Sequence, residues 1–148
     1  MRHRLQIKLP KGWVDYSKEN PDGPPTFLRD LSEEPGPLQI SWAEYKGGVV
    51  PNPSAEDLQQ MSREIGEQQD YGRLIESSNG ECQFGRMGTA TFQAPGQRVQ
   101  LWHLSNGKDF IMVTHIGPEA PDPNEVREVK EIVQTLTLGE TKPKWKFW

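Results

Sequence analysis

Cysteine is nearly absent from this chain: the single Cys82 forms no intramolecular disulfide and cannot build a cysteine zinc site. No apolar run approaches the roughly 18 residues that span a bilayer. After its arginines, the N-terminal MRHRLQIKLPKGW alternates apolar with polar residues, unlike the unbroken apolar core of an export signal. These absences predict no stable membrane insertion and a cytoplasmic location. Positive charge is scarce too. With 17 Lys and Arg against 21 Asp and Glu the formal net charge is −4, so no basic field draws phosphates and no nucleic-acid partner is expected. GRMG and GQR lack the strand–loop–helix setting that aims backbone amides at an anion, so no phosphate-cradling loop is present. Proline in NPS at Asn52 removes a glycosylation sequon.

What is present is a chain of 148 residues, 33% hydrophobic and 26% charged, which fits one domain with long polar loops around a modest core. The domain is read as residues 1–141, and residues 142–148 as a separate lysine–aromatic tail. Leu5, Ile7 and Leu9 alternate with Arg4, Gln6 and Lys8, the period of a strand with one buried face. A turn at Lys11-Gly12 leads to a second short strand, and SKENPDGPP is a loop. TFLRDL is a third strand; LQISWAEY is a fourth, with Leu38, Ile40 and Trp42 on one side.

Ser54 with Asp57 forms a capping-box pattern, and Leu58, Met61 and Ile65 follow at helical spacing, predicting a helix from about Ala55 to Gln69. Asn79-Gly80 carries a type I′ hairpin signal inside GRLIESSNGECQFG. In GRMGTATFQ, Gly88, Ala90 and Phe92 share a face small enough to let a helix approach. A turn at Pro95-Gly96 leads to RVQLWHL, joined to DFIMVTHI through Asn106-Gly107. Both faces of that hairpin are apolar, with Val99 and Leu101 beside Phe110 and Met112, and Trp102 and Leu104 beside Ile111 and Val113. It therefore belongs mid-sheet, covered on both sides, or else offers one face to a partner. A last helix opens on Asp122 as N-cap, Pro123 at the first position and Glu125 completing a box. Its stripe is Val126, Val129, Ile132, Val133 and Leu136. Consecutive hairpins argue for an antiparallel sheet and an α+β class.

Chemistry is sparse. A two-residue Asn-Gly loop pairs His103 with Phe110 and His115 with Arg98, which sends the imidazoles to opposite faces. Even with a longer loop they stand about 13 Å apart along the strands, so no shared metal ion is expected. Cys82 has no histidine near it in sequence and reads as a packed side chain. Asp57, Glu64 and Glu67 read as a solvated helix face, and so do Glu125, Glu128 and Glu131. Nothing supports an enzyme, and no cofactor is expected. The tail KPKWKFW alternates like a strand with one face down, which favours packing or partner contact over a membrane hook.

LPKGWVDYS, the capped PSAEDLQQMSREI, GRMGTATF, the RVQLWHL and DFIMVTHI hairpin and VREVKEIVQTL, in that order, resemble PsbP-like domains. That superfamily includes a photosystem II extrinsic subunit, a yeast nuclear-import cofactor for Ran and bacterial DcrB-like proteins. The resemblance spans residues 5 to about 138. It implies an antiparallel sheet of about six strands flanked by helices in an α/β/α sandwich, and non-enzymatic work. Bacterial members of this length include the Eag chaperones of type VI secretion, dimers that hold apolar effector segments on a sheet surface. The implied function is a protein-binding chaperone or adaptor of secretion. Toxin immunity is an alternative, and a small hydrolase or ligand-binding enzyme without a recognisable motif is a further one. The expected partner is a secreted effector or a toxin, with a homodimer as a second expectation. The residues expected to meet a partner are Trp42, Trp102, Trp145, Phe147 and Trp148.

Overall fold

The computed structural model describes residues 3–19 and 21–140; the expected tail 142–148 lies outside them. Strands β1 (His3–Gln6) and β9 (Thr137–Glu140) pair antiparallel as a two-stranded ribbon. The remaining strands are β2 (Trp13–Asp15), β3 (Thr26–Arg29), β4 (Leu38–Ala43), β5 (Arg73–Cys82), β6 (Gly85–Ala94), β7 (Gln97–Ser105) and β8 (Phe110–Gly117). They form one seven-stranded sheet in the order β2-β3-β4-β8-β7-β6-β5, each neighbouring pair antiparallel. Helix α1 (Ala55–Gln68) covers β5, β6 and β7 on one face, while α2 (Pro123–Thr135) and the ribbon cover the other. The α+β antiparallel sandwich is as expected, with one strand more in the sheet and the first strand withdrawn into the ribbon.

Register divides the core cleanly. Leu38, Ile40, Trp102, Leu104, Ile111 and Val113 face α2, whose Val129, Ile132 and Val133, with Leu136 just after it, complete that cluster. Ala90, Phe92, Val99 and Leu101 face the other way, with Ile65 and Tyr71 from α1 and the turn after it. α1 starts at the expected capping box: Ser54 Oγ accepts from the Asp57 amide at 3.0 Å, and Asp57 accepts from the Ser54 amide at 2.9 Å. Its buried positions are Leu58, Ser62 and Gly66, a row of every fourth residue that narrows to nothing. A Cβ on Gly66 would enter the Phe92 ring, and one on Gly88 would enter the backbone of Leu58-Gln59. The small residues of GRMGTATF therefore set the close helix–sheet approach, as the sequence predicts.

Two turns depart from expectation. β5 runs straight through Asn79-Gly80, and the chain reverses at Gln83-Phe84, where Cys82 pairs with Gly85. Tertiary contacts hold the later turn. The Gln83 amide donates to the Gln134 carbonyl, Phe84 enters the core, and Asn79 instead donates to Gln59 Oε1 of α1. At Asn106-Gly107 the hairpin forms, but Asn106 Oδ1 accepts from the amides of both Lys108 and Asp109, making a four-residue loop. His103 then stands opposite Met112 and His115 opposite Gln100, two residues from the expected register. A shift of two preserves the faces, so the imidazoles still point apart.

Candidate functional site

α1 covers only half of its face of the sheet. Beyond it lie Met112, Thr114 and Ile116 of β8, Gln39 and Ser41 of β4, and then Leu28 and Val14 at the β3–β2 edge. Tyr71 forms one wall. It follows α1 through Asp70, at φ 53°, and its amide bonds to the Gly66 carbonyl. Pro24, in the loop before β3, forms the other wall. Between them is an open groove of about 500 Å³ lined by Pro24, Gln39, Ser41, Tyr71, Met112, Thr114 and Ile116. None of the described residues lining it is charged. Its floor is a mixed surface of Met and Ile with neutral hydroxyl and amide groups, suited to an uncharged apolar segment.

A serine–histidine pair stands close by but is sealed. Ser62 of α1 lies 2.7 Å from His103 Nδ1 and 3.3 Å from the Gly88 carbonyl. Both bonds form when Nδ1–H donates to the serine and the serine donates to the carbonyl. Burial lowers the His103 pKa to about 4, so the ring is neutral at pH 7. With Ser62 fully enclosed and His103 only 4% exposed, the pair is packing and gives a substrate no approach. The Cys82 thiol is likewise pushed up by burial, which weakens it as a nucleophile.

The other face holds a buried ionic network that pattern reading missed. Glu128 accepts a fork from Arg29, Nε to Oε1 and Nη2 to Oε2, each at 3.2 Å, and a third bond from Trp13 Nε1 at 3.0 Å. Arg29 Nη1 also reaches Ser32 Oγ and Asp122 Oδ2, both at 3.1 Å. One turn earlier, Glu125 Oε2 accepts from His115 Nε2 at 2.7 Å and from the Gly36 amide at 3.1 Å. Burial alone would raise both carboxylates. Hydrogen bonding from His115, Ser32 and the Gly36 amide holds Glu125 below its ordinary value, and Arg29 and Trp13 do the same for Glu128. Glu125 and Glu128 were expected on a solvated face with Glu131, and only Glu131 is exposed. The Glu125 capping role also falls away. Asp122 caps the Asn124 amide, and Glu125 turns inward. Tyr71 and Met112 gave no signal beyond ordinary apolar periodicity, and the groove they line depends on where α1 stops.

Of the expected partner residues, Trp42 is half-buried on the α2 face against the core. Trp102 is 1% exposed, a core side chain with no surface for a partner, because β7 is central and α2 lies over it. Trp145, Phe147 and Trp148 fall outside the described residues. The two of these tryptophans that are described, Trp42 and Trp102, belong to the same core cluster. His103 and His115 take separate partners, Ser62 and Glu125.

No family model and no curated protein sequence matches the chain. Solved structures do. LpqN of Mycobacterium tuberculosis, described as involved in cell envelope biogenesis, superimposes with a TM-score of 0.59 at 15% identity, covering 94% of this chain and 85% of LpqN. Cyanobacterial PsbP (CyanoP) of Synechocystis gives 0.50 at 11% identity, covering 91% and 92%. The fold is PsbP-like. A Bacteroides thetaiotaomicron protein gives 0.52 at 16% identity over 97% of this chain. The chain spans about half of that protein's length (47%). At these identities the PsbP-like likeness is one of fold, and the fold serves many functions. No helix among the described residues is long and apolar enough to cross a membrane.

Proposed function

We propose that this protein is a non-enzymatic protein-binding module, a cytoplasmic chaperone or adaptor of bacterial secretion that holds an apolar segment of its partner on the sheet. The observation that carries this reading is the uncharged groove beside α1, floored by Met112, Thr114 and Ile116. Burying an apolar segment there would gain about 25 cal/mol for each Å² removed from water, without desolvating a charge of the protein. Methionine adapts its shape to different apolar contacts, which suits a surface that receives a segment rather than one rigid ligand.

The test is a pull-down from the native host with the wild-type chain and with Met112→Glu. A single protein captured by the wild type and lost by the variant supports the reading. Retention of that protein by the variant, or recovery of small metabolites alone, counts against it. A second reading, toxin immunity, rests on a different groove of about 690 Å³ beside the start of α2, lined by Glu33, Glu34, Glu119 and Asp122 with Leu31 and three prolines. Loss of the captured protein on Glu33→Lys with Glu34→Lys, and its retention by Met112→Glu, would favour that alternative.

A further inference from the structure

The sheet is not uniformly knitted. β2 has three residues, and β3 pairs with β4 at only two positions, Thr26 with Gln39 and Phe27 with Leu38. By contrast β6 and β7 pair at every position from Arg86 opposite Ser105 to Ala94 opposite Gln97. The first half of α2 depends on the weaker region. Arg29 of β3, Trp13 of β2, and Ser32 and Gly36 in the following loop supply its contacts, joined by His115 of β8.

Around the His115 contact the sheet face is polar. Thr91, Gln100 and His115 stand side by side on β6, β7 and β8, with Arg98 next along β7 on the same face. Thr91 Oγ1 and Arg98 Nη1 are buried without a hydrogen-bond partner among the described residues. Unpartnered buried groups on one face mark a place where closure is incompletely compensated and where admitting water returns free energy. The second half of α2 shows the opposite pattern: Val129, Ile132 and Val133, with Leu136 just after the helix, are each 1% exposed or less, in one cluster with Trp102 and Leu104.

We infer that residues 123–128 of α2, β2, β3 and the loop of residues 30–37 form one latch, which opens to solvent while α1, β5–β7 and the apolar end of α2 remain closed. Opening releases the Arg29–Glu128 fork and the His115–Glu125 bond together, because the two carboxylates stand three residues apart on one face of α2. It frees His115, which stands in one row with Gln100 and Thr91 on the same face of the sheet. The ionic contacts of the latch lie on the sheet face opposite the open groove, and the inference does not rest on the function proposed for that groove.

Hydrogen exchange of the full chain at pH 7.5, read by mass spectrometry, tests this. Amides of residues 26–29 and 124–128 are expected to exchange about ten-fold or more faster than those of residues 58–66 and 99–104. Equal rates in the two groups would overturn the latch. Glu128→Gln removes the charge that closes the fork and is expected to speed exchange about ten-fold further in the corner alone. Acceleration of α1 and β7 to the same degree would show a single cooperative unit and overturn it. Should Glu128→Gln fail to fold, Arg29→Lys keeps the charge, loses the fork and is read against the same two outcomes.

Discussion

α1 and α2 lie on opposite faces of one sheet and are held there by different chemistry. α1 is held by fit: Leu58, Ser62 and Gly66 drop into the space left by Gly88 beside Phe92, and its Ser62–His103 pair is enclosed. α2 is held by fit only along its second half. Its first half is pinned by two buried carboxylates reaching a guanidinium, an indole and an imidazole. Close packing is indifferent to ionisation except at its one histidine, whereas an ionic dock depends on its carboxylates staying ionised and on their donors being present. The same sheet therefore carries one helix that is hard to move and one whose leading end has a distinct way of being released.

The comparison is broken most forcefully at Glu128. Glu128→Ala leaves the buried Arg29 with Asp122 and Ser32 but without its fork, and is expected to cost about 4 kcal/mol in urea unfolding. A loss below about 1 kcal/mol would mean that the fork is not what holds α2.

Next in size is a pH effect that separates the two docks. His103 is held neutral by burial with its pKa near 4, so the unfolded chain takes up its proton first. Stability is then expected to fall by up to about 3 kcal/mol as pH drops from the ordinary histidine value near 6.5 toward 4. His103→Gln flattens that window. Glu125 and Glu128, held low in the fold, contribute fully above the ordinary carboxylate value near 4.3 and lose their contribution only below it. A wild-type profile flat between pH 6.5 and 5, or one unchanged in His103→Gln, would contradict the assignment of the upper window to α1.

Gly88→Val asks how closely α1 is seated. The added atoms meet the backbone of Leu58-Gln59, which cannot turn aside like a side chain, and about 2 kcal/mol should be lost. The smallest expected effect is at the start of the same helix. Ser54→Ala removes one half of the capping box and should cost about 1 kcal/mol, read as a shift of the urea midpoint with unchanged slope.

Much of this was legible in the residues. The Ser54–Asp57 box, the small-residue run of β6 and the Pro95-Gly96 turn are local signals, and each sits where its pattern places it. The faces of the β7–β8 hairpin were also readable, although its loop was two residues longer than the Asn-Gly signal suggests. Asn79-Gly80 carried the same signal and made no turn. Gln134 and the core seat of Phe84 decide where the chain reverses, and both lie beyond the local window. The buried carboxylates escaped for a related reason. Helical spacing puts Glu125, Val129 and Ile132 on adjoining positions of one stripe, and a glutamate in such a stripe looks like its solvated edge until its partners are known.

Of the site, the sequence offered aromatic residues, and of those the described structure buries Trp102 and half-buries Trp42. Taken alone, the amino-acid order determined the two helices, the β7–β8 hairpin and the α+β class, because capping, turn chemistry and two-residue alternation act over a few neighbours. The tertiary structure decided which glutamates are paired and which half of the sheet stays uncovered. Those outcomes depend on where α1 ends relative to β8, and on Arg29 meeting Glu128 across ninety-nine positions of chain. No local pattern encodes a meeting at that distance.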